Sequence, residues 1–276
     1  MPQHLLCGRF NLSLARPLIM GIVNLTDDSF SGDGLGSDSE RAIAHGLRLV
    51  QEGADILDLG GESSRPGALP VSAQQELARL LPVLEGLHDC GVPLSVDTQK
   101  TEVMRAVLAA GADMINDIAA LQAPGALETV ATSRAAVCLM HMQGEPRSMQ
   151  QSPHYVDVLA EVRDFLAARV QAAESAGIGA ERIVLDPGFG FGKTLEHNLT
   201  LLRRLAELRV ADLPLLVGVS RKSMLGLLTG RTAGERLPAG IAAALLALQR
   251  GVRIVRVHDV AATRDALAVW NAVEGT

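Results

Sequence analysis

What most limits the folds open to this chain is a unit that recurs from end to end: a short apolar run, a polar loop, then a helical stretch. Strand-like runs fall at Leu18–Val23, Ile56–Leu59, Leu94–Val96, Met114–Ile115, Val137–Met140, Ile183–Leu185, Leu215–Val219 and Ile254–Val257. They are nearly continuous in apolar character and flanked by turn residues, the pattern of parallel strands covered on both faces. Helices are expected at Ser39–Glu52, Ser72–Leu87, Thr101–Ala110, Ala126–Thr132, Tyr155–Ala176, His197–Glu207, Gly240–Arg250 and Asp259–Val273. Leu77, Leu80, Leu81 and Leu84 have the three-and-four spacing of a buried helix face. Gly53, Gly111, Gly177 and Gly251 stand where helices end. A β–α unit repeated about eight times in 276 residues predicts an α/β fold, a (β/α)₈ TIM barrel formed as a single domain over 1–276. A doubly wound open sheet is the alternative. It usually carries a Gly-rich dinucleotide loop after its first strand, and none is evident after Val23.

Composition narrows the function classes. Hydrophobic residues make up 48% of the chain and charged residues 20%, enough apolar material for a sizeable core and unlike a disordered segment. Aromatics are only 3%, so Leu, Val, Ile and Ala fill that core. The 25 Lys and Arg against 31 Asp and Glu leave a net charge of −6, which argues against nucleic acid or an anionic membrane as partner. Cys7, Cys90 and Cys138 are far apart and lack metal-ligand or disulfide spacing. No basic start leads into an apolar run and cleavage site, so no signal peptide is expected. The longest apolar run, Ala239–Leu248, is short of the roughly 20 residues of a membrane span. A soluble, cytoplasmic protein is expected.

A barrel of this kind carries its chemistry where strands run into helices, and the polar residues gather there. Asn24 ends the first strand, Gly60–Gly67 follows the second, Asp97 ends the third, Asn116 and Asp117 the fourth, and His141 the fifth. Asp186–Lys193 follows the sixth, Ser220–Ser223 the seventh, and Arg256 and His258 close the eighth. A single Asp or Asn at such a place is often only a helix cap, but the same coincidence at nearly every strand end points to a site. Asp97, Asn116 and Asp186 suit a flat heterocycle rich in N–H donors. Ser64, Arg65, Arg256 and His258 suit phosphate oxygens, and Lys222 can serve either.

The runs that carry these residues resemble, in order and across essentially the whole chain, the dihydropteroate synthases. They are Met20–Thr26 with Asp28–Ser31, GGESSRPG at Gly60–Gly67, SVDT at Ser95–Thr98, NDI at Asn116–Ile118 and CLMHMQG at Cys138–Gly144. LDPGFGFGK at Leu185–Lys193, GVSRKSM at Gly218–Met224 and RVHDV at Arg256–Val260 complete the series. SVDT or NDI alone is a weak signal, whereas DPGFGFGK and SRKS in register with the rest are highly specific.

The resemblance implies a (β/α)₈ barrel that joins 6-hydroxymethyl-7,8-dihydropterin diphosphate to 4-aminobenzoate, giving 7,8-dihydropteroate and diphosphate in folate synthesis. It further implies Mg²⁺ with the diphosphate, sulfonamide competition at the aminobenzoate site, and a homodimer. Residue by residue, it makes Asn24 the magnesium-linked asparagine and Asp97, Asn116, Asp186 and Lys222 the pterin set. Ser64, Arg256 and His258 become the diphosphate set, and Arg65, Pro66, Phe189, Phe191 and Ser223 part of the aminobenzoate pocket. Lys222, Arg256, His258 and a lid aspartate are the groups expected at the chemistry. His141 lies in a strong motif but takes no specific role beyond packing.

The chain departs from the family pattern in its first signature: Asp27 stands where Pro is usual, and Ser31-Gly32-Asp33-Gly34 replaces Ser-Asp-Gly-Gly. The lid aspartate is thereby displaced by one position, onto Asp33, in a Thr26–Ser39 loop expected to close over the site. Ser64 stands where Thr is usual and keeps the hydroxyl. Other readings are a methyltetrahydrofolate-type methyltransferase barrel, which needs no anion set, and a non-catalytic pterin-binding relative. A Schiff-base aldolase using Lys222 leaves DPGFGFGK unexplained.

Overall fold

A computed structural model describes residues 3–26, 39–63 and 67–274. Eight strands lie parallel: β3 (Leu18–Asn24), β4 (Ile56–Gly60), β5 (Leu94–Asp97), β6 (Met114–Asp117), β7 (Ala136–Met140), β8 (Ile183–Asp186), β9 (Leu216–Val217) and β10 (Ile254–Val257). Each pairs with the next in sequence except β8 with β9, and β10 also pairs with β3. A parallel bridge from Leu185 to Leu215, with Leu185 N–H donating to Pro214 O at 3.0 Å, joins β8 to β9 and closes the ring. The expected barrel is therefore the fold of the chain.

Strand parity positions everything that follows. Successive side chains of a strand point to opposite faces. Met20, Ile56, Met114, Cys138, Val184, Leu216 and Ile254 form one buried cluster inside the barrel. Their neighbours Ile19, Leu57, Ile115, Val137, Ile183, Val217 and Val255 belong to a second cluster, packed under the helices. Counting two residues toward the strand C-terminus from the inner set gives Asp58, Asn116, Asp186 and Arg256. The floor of the site is thus the apolar plug, and its walls are the inward positions above it.

A hairpin precedes the barrel, β1 (His4–Cys7) and β2 (Phe10–Ser13), and sequence reading did not anticipate it. Leu5 and Cys7 of β1 join the inner cluster and cover its lower end. Asp113 ties this cap down: its carboxylate accepts from Arg9 Nε at 3.1 Å and from Leu94 N–H at 3.1 Å.

The helices are α1 (Ser39–Glu52), α2 (Ala73–Leu87), α3 (Thr101–Ala109), α4 (Ala126–Ala131), α5 (Val158–Ser175), α6 (Leu195–Arg203), α7 (Ser223–Thr229), α8 (Leu237–Leu248) and α9 (Val260–Glu274). Most fall where expected. The starts differ where caps decide them. Asp157 accepts from Leu159 and Ala160 N–H, so α5 begins after Tyr155. Thr194 and His197 form a reciprocal cap, so α6 begins earlier and its expected tail becomes a 3₁₀ turn at Leu205–Glu207. Pro238, already preset for a helix start, sets the start of α8 ahead of Gly240. Helix α7 was not expected; its seven residues are too few to show a period.

Candidate active site

A cavity of about 680 Å³ opens at the C-terminal ends of the strands. Asn24, Asp97, Phe191, Lys222, Ser223, Arg256 and His258, all singled out from sequence, line it. Asn116 and Asp186 lie just below its wall, only 5% and 6% exposed. Phe189 does not reach the cavity. It is 1% exposed and packs in the core beneath the helices, so of the two loop rings only Phe191 faces the site. Asp33, Ser64, Arg65 and Pro66, with most of the expected lid, lie outside the described residues.

The floor is organised by Asp58, which sequence reading missed. Its side chain is fully buried inside the barrel. One oxygen accepts from Ser95 Oγ at 2.6 Å; the other accepts from Asn116 Nδ2 at 3.1 Å and Arg256 Nε at 2.5 Å. Arg256 also donates from Nη2 to Asp97 Oδ2 at 3.0 Å. Burial opposes the guanidinium's charge, but Asp58 and Asp97 outweigh it and hold Arg256 firmly protonated. For Asp97 burial is the stronger influence and pushes the carboxyl upward, against the pull of Arg256. The signal for Asp58 was available: a carboxylate inside the apolar run Ile56–Leu59, in phase with the inward positions.

Asp186 accepts from Gly188 N–H at 2.7 Å. Burial pushes its carboxyl up to about 6, while that N–H and the positive charges of Lys222, Lys193 and Arg256 draw it back. Lys193, 3% exposed, donates to Gly188 O at 2.9 Å and Phe191 O at 3.0 Å, and its Nζ lies 3.0 Å from His141 Nδ1. Burial lowers Lys193 to about 7, against Asp186. Burial and the neighbouring lysine lower His141 to about 3, so its ring is neutral at working pH.

The opposite wall comes from the loop after β9. Lys222 Nζ stands 4.2 Å from the centre of the Phe191 ring. Arg221 has φ +57° and is held by Asp259, Nη2 to Oδ1 at 2.6 Å. Arg236, not foreseen, braces the turn from α8's side by donating to Arg221 O at 3.0 Å. His258 Nδ1 lies 3.0 Å from Ser220 Oγ, which also accepts the His258 N–H at 3.3 Å. On the third side Glu62, just after β4, accepts from Val71 N–H at 2.9 Å and Lys100 Nζ at 2.7 Å.

Among the described residues no group of three or more His, Cys, Asp or Glu side chains is placed to hold a metal ion. Asn24 offers one neutral amide oxygen at the cavity wall. That donor set fits a cation carried in with an anionic substrate better than a resident ion.

The pterin binding enzyme family matches residues 20–258. The chain is 54% identical over 271 residues to a dihydropteroate synthase of Neisseria meningitidis serogroup C, with 96% of each covered. The Burkholderia cenocepacia dihydropteroate synthase complexed with 7,8-dihydropteroate matches with a TM-score of 0.92 and 52% identity, over 99% of this chain and 97% of that one. The Xanthomonas albilineans enzyme with 4-aminobenzoic acid matches with a TM-score of 0.92 and 53% identity, over 100% of both. The chain belongs to the pterin-binding enzymes and, within them, to the dihydropteroate synthase family.

Proposed function

We propose that this chain condenses 6-hydroxymethyl-7,8-dihydropterin diphosphate with 4-aminobenzoate, releasing 7,8-dihydropteroate and diphosphate. The observation that carries the reading is a single cavity mouth with two chemistries. Asp97, Lys222, Arg256 and His258 line it, and Asn116 and Asp186 are buried at the ends of β6 and β8. The 7,8-dihydropteroate and the 4-aminobenzoic acid bound in the relatives support a pterin and 4-aminobenzoate as ligands here.

Asp186 is the carboxylate we assign to the pterin's amino and ring N–H edge, where paired charge-assisted bonds form. Asn116, oriented by Asp58, Asp97, oriented by Arg256, and Lys222 at the cavity wall complete the pterin set. The bond from the pterin methylene carbon to the diphosphate oxygen breaks, and the electron pair leaves with oxygen. Lone-pair donation from the dihydropterin ring stabilises the cationic carbon. Arg256 and His258 supply positive charge and donors where negative charge develops on the leaving group. The aniline nitrogen attacks the carbon and gives up its proton to solvent. It needs positioning more than a strong base, and Phe191 and Ser223 line the place we assign to it. Asn24 is the residue we assign to Mg²⁺, which when bound would offset the diphosphate's charge.

Homodimer formation and a cytoplasmic location belong to the same proposal. Leu227 and Leu228 of α7 and Leu246 of α8, exposed by 69%, 53% and 42%, offer an apolar face for a second copy. No helix among the described residues is long and apolar enough to cross a membrane.

The test is a coupling assay with both substrates, with and without Mg²⁺. Product that requires all three, and disappears in Lys222→Ala and Asp186→Ala, supports the reading. Pterin binding without product or diphosphate release makes the chain a binding relative instead.

A further inference from the structure

Two residues of strong sequence motifs remain without a role in the reaction: His141, just after β7, and Lys193, at the end of the Gly-rich run after β8. Neither lines the cavity. They lie 52 positions apart, yet Lys193 Nζ sits 3.0 Å from His141 Nδ1. We propose that Lys193 and His141 form a positioning pair that holds the 186–192 loop in the one shape able to present Asp186 and Phe191 to the substrates. The inference rests on the proposed reaction and adds to it two residues that touch neither substrate.

The geometry carries it. An ammonium group has three N–H donors, and Lys193 directs them to Gly188 O, Phe191 O and the ring nitrogen of His141. Both carbonyls belong to the loop; the histidine belongs to the neighbouring strand's exit. The loop is therefore bound to the barrel wall through one buried amino group, an ammonium below about pH 7. Each end of that clamp leads to a group of the site. Gly188 N–H is the donor to Asp186 Oδ1, so holding Gly188 at its carbonyl restrains the residue that orients the carboxylate. Phe191, whose carbonyl is held, places its ring beside Lys222.

The surroundings allow no easy substitute. Lys193 is 3% exposed and His141 5% exposed. A Cβ at Gly188 would collide with the His141 carbonyl oxygen, so loop and strand exit meet backbone to backbone. The His141 ring is set edge-on against Phe165, ring centres 5.0 Å apart, and 6.0 Å from Tyr155. Tyr155 Oη in turn donates to Gly192 O at 2.9 Å. A neutral imidazole with Nδ1 turned to an ammonium accepts there and carries its own proton on Nε2.

The test separates positioning from mere packing. His141→Asn places an amide oxygen near the position of Nδ1 and keeps an acceptor; His141→Leu fills the space without one. Leaving the buried amine without its acceptor loosens the loop, and binding of either substrate then carries the cost of re-ordering it. The expected result is a KM for 4-aminobenzoate and a Kd for the pterin diphosphate both raised about tenfold in His141→Leu and largely restored in His141→Asn. In His141→Leu, amide exchange should speed up in residues 188–192 while β3–β6 keep their protection. Equal loss in both variants, no loss in either, or faster exchange spread evenly over the barrel would overturn the proposal. Wild-type protein run alongside keeps the two readings apart. Failure of wild type to make product counts against the reaction, and normal wild-type activity with unchanged constants in His141→Leu counts against the pair.

Discussion

Arg256 and Asp97 stand 159 positions apart and meet at the mouth of the barrel, Nη2 to Oδ2 at 3.0 Å. Sequence chemistry sorts them into opposite sets, the cation toward phosphate and the carboxylate toward a heterocycle. The closed barrel joins them instead. Their strands, β10 and β5, are separated only by β3 and β4, and both side chains point inward. The groups we assign to the anion and to the pterin are therefore one electrostatic unit, with Asp58 at its base.

Asp58→Asn tests that unit. The substitution keeps the shape of the side chain but removes the charge that faces Arg256. Breaking one partner of a buried ion pair leaves an uncompensated charge, and about 3 kcal/mol of unfolding free energy should be lost. Urea unfolding measures it. Asn116 and Arg256 lose their common anchor, so affinity for the pterin should fall as well. A variant as stable as wild type would mean that Asp97 alone suffices to hold Arg256.

Asp186 sets a pH dependence whose sign can be worked out. Its carboxyl lies near 6 in the folded, ligand-free protein, above the roughly 4 of an unfolded chain. The native state therefore holds more protons between about pH 4 and 6, and this group's contribution to stability is lost as pH rises through 6. Asp117, also pushed up to about 6 by burial, acts in the same direction. Pterin binding moves the opposite way. A carboxylate that must be ionised to accept two N–H bonds binds best above pH 6, and affinity should fall about tenfold per unit below it. Calorimetry with a dihydropterin from pH 4.5 to 7.5 should show that fall together with proton release on binding. A flat profile would remove Asp186 from the pterin edge.

Much of this was legible in the chain itself, because a barrel written in sequence order needs few long-range decisions. Strand runs, the end of the barrel that bears the chemistry, and Lys222, Arg256 and His258 all follow from local pattern. What escaped has physical reasons. The hairpin β1–β2 covers the barrel's lower end with only two buried residues per strand pair, Leu5 and Cys7, too few to stand out as a period. Phe189 and Phe191 are alike in sequence, two residues apart in one loop, and only the fold decides which ring turns to the core. Arg236 and the Lys193–His141 pair hold other residues, contacts that exist only in three dimensions.

Gly188→Ala should be among the most damaging single changes in the protein. Gly188 has φ +69°, and an added Cβ would meet the His141 carbonyl oxygen. Gly177 offers the control, with φ +96° and open space around it. Gly177→Ala carries only the backbone strain of a left-handed residue, about 1–2 kcal/mol. Gly188→Ala adds a clash of the new Cβ with the His141 carbonyl oxygen and should cost about 4 kcal/mol or more. Thermal melts of the two variants make the comparison. Equal losses would mean that the loop can move off the β7 exit without cost.

The ring of Phe191 beside Lys222 gives the last test. An ammonium 4.2 Å from a ring centre lies within range of a favourable cation–π contact. Such a contact, partly desolvated at a cavity wall, is worth about 1 kcal/mol. Phe191→Leu keeps an apolar side chain but removes the ring face; Lys222→Met keeps the chain length but removes the charge. Unfolding free energies of wild type, both single variants and the double variant form a cycle, and the coupling should come out near 1 kcal/mol. In the same Phe191→Leu protein the KM for 4-aminobenzoate should rise about five- to tenfold, because that change removes both the ring lining the pocket and a constraint on Lys222. A coupling of zero with a raised KM would leave the ring as a wall of the aminobenzoate pocket only. Coupling with an unchanged KM would make it a support for Lys222 that the second substrate never touches.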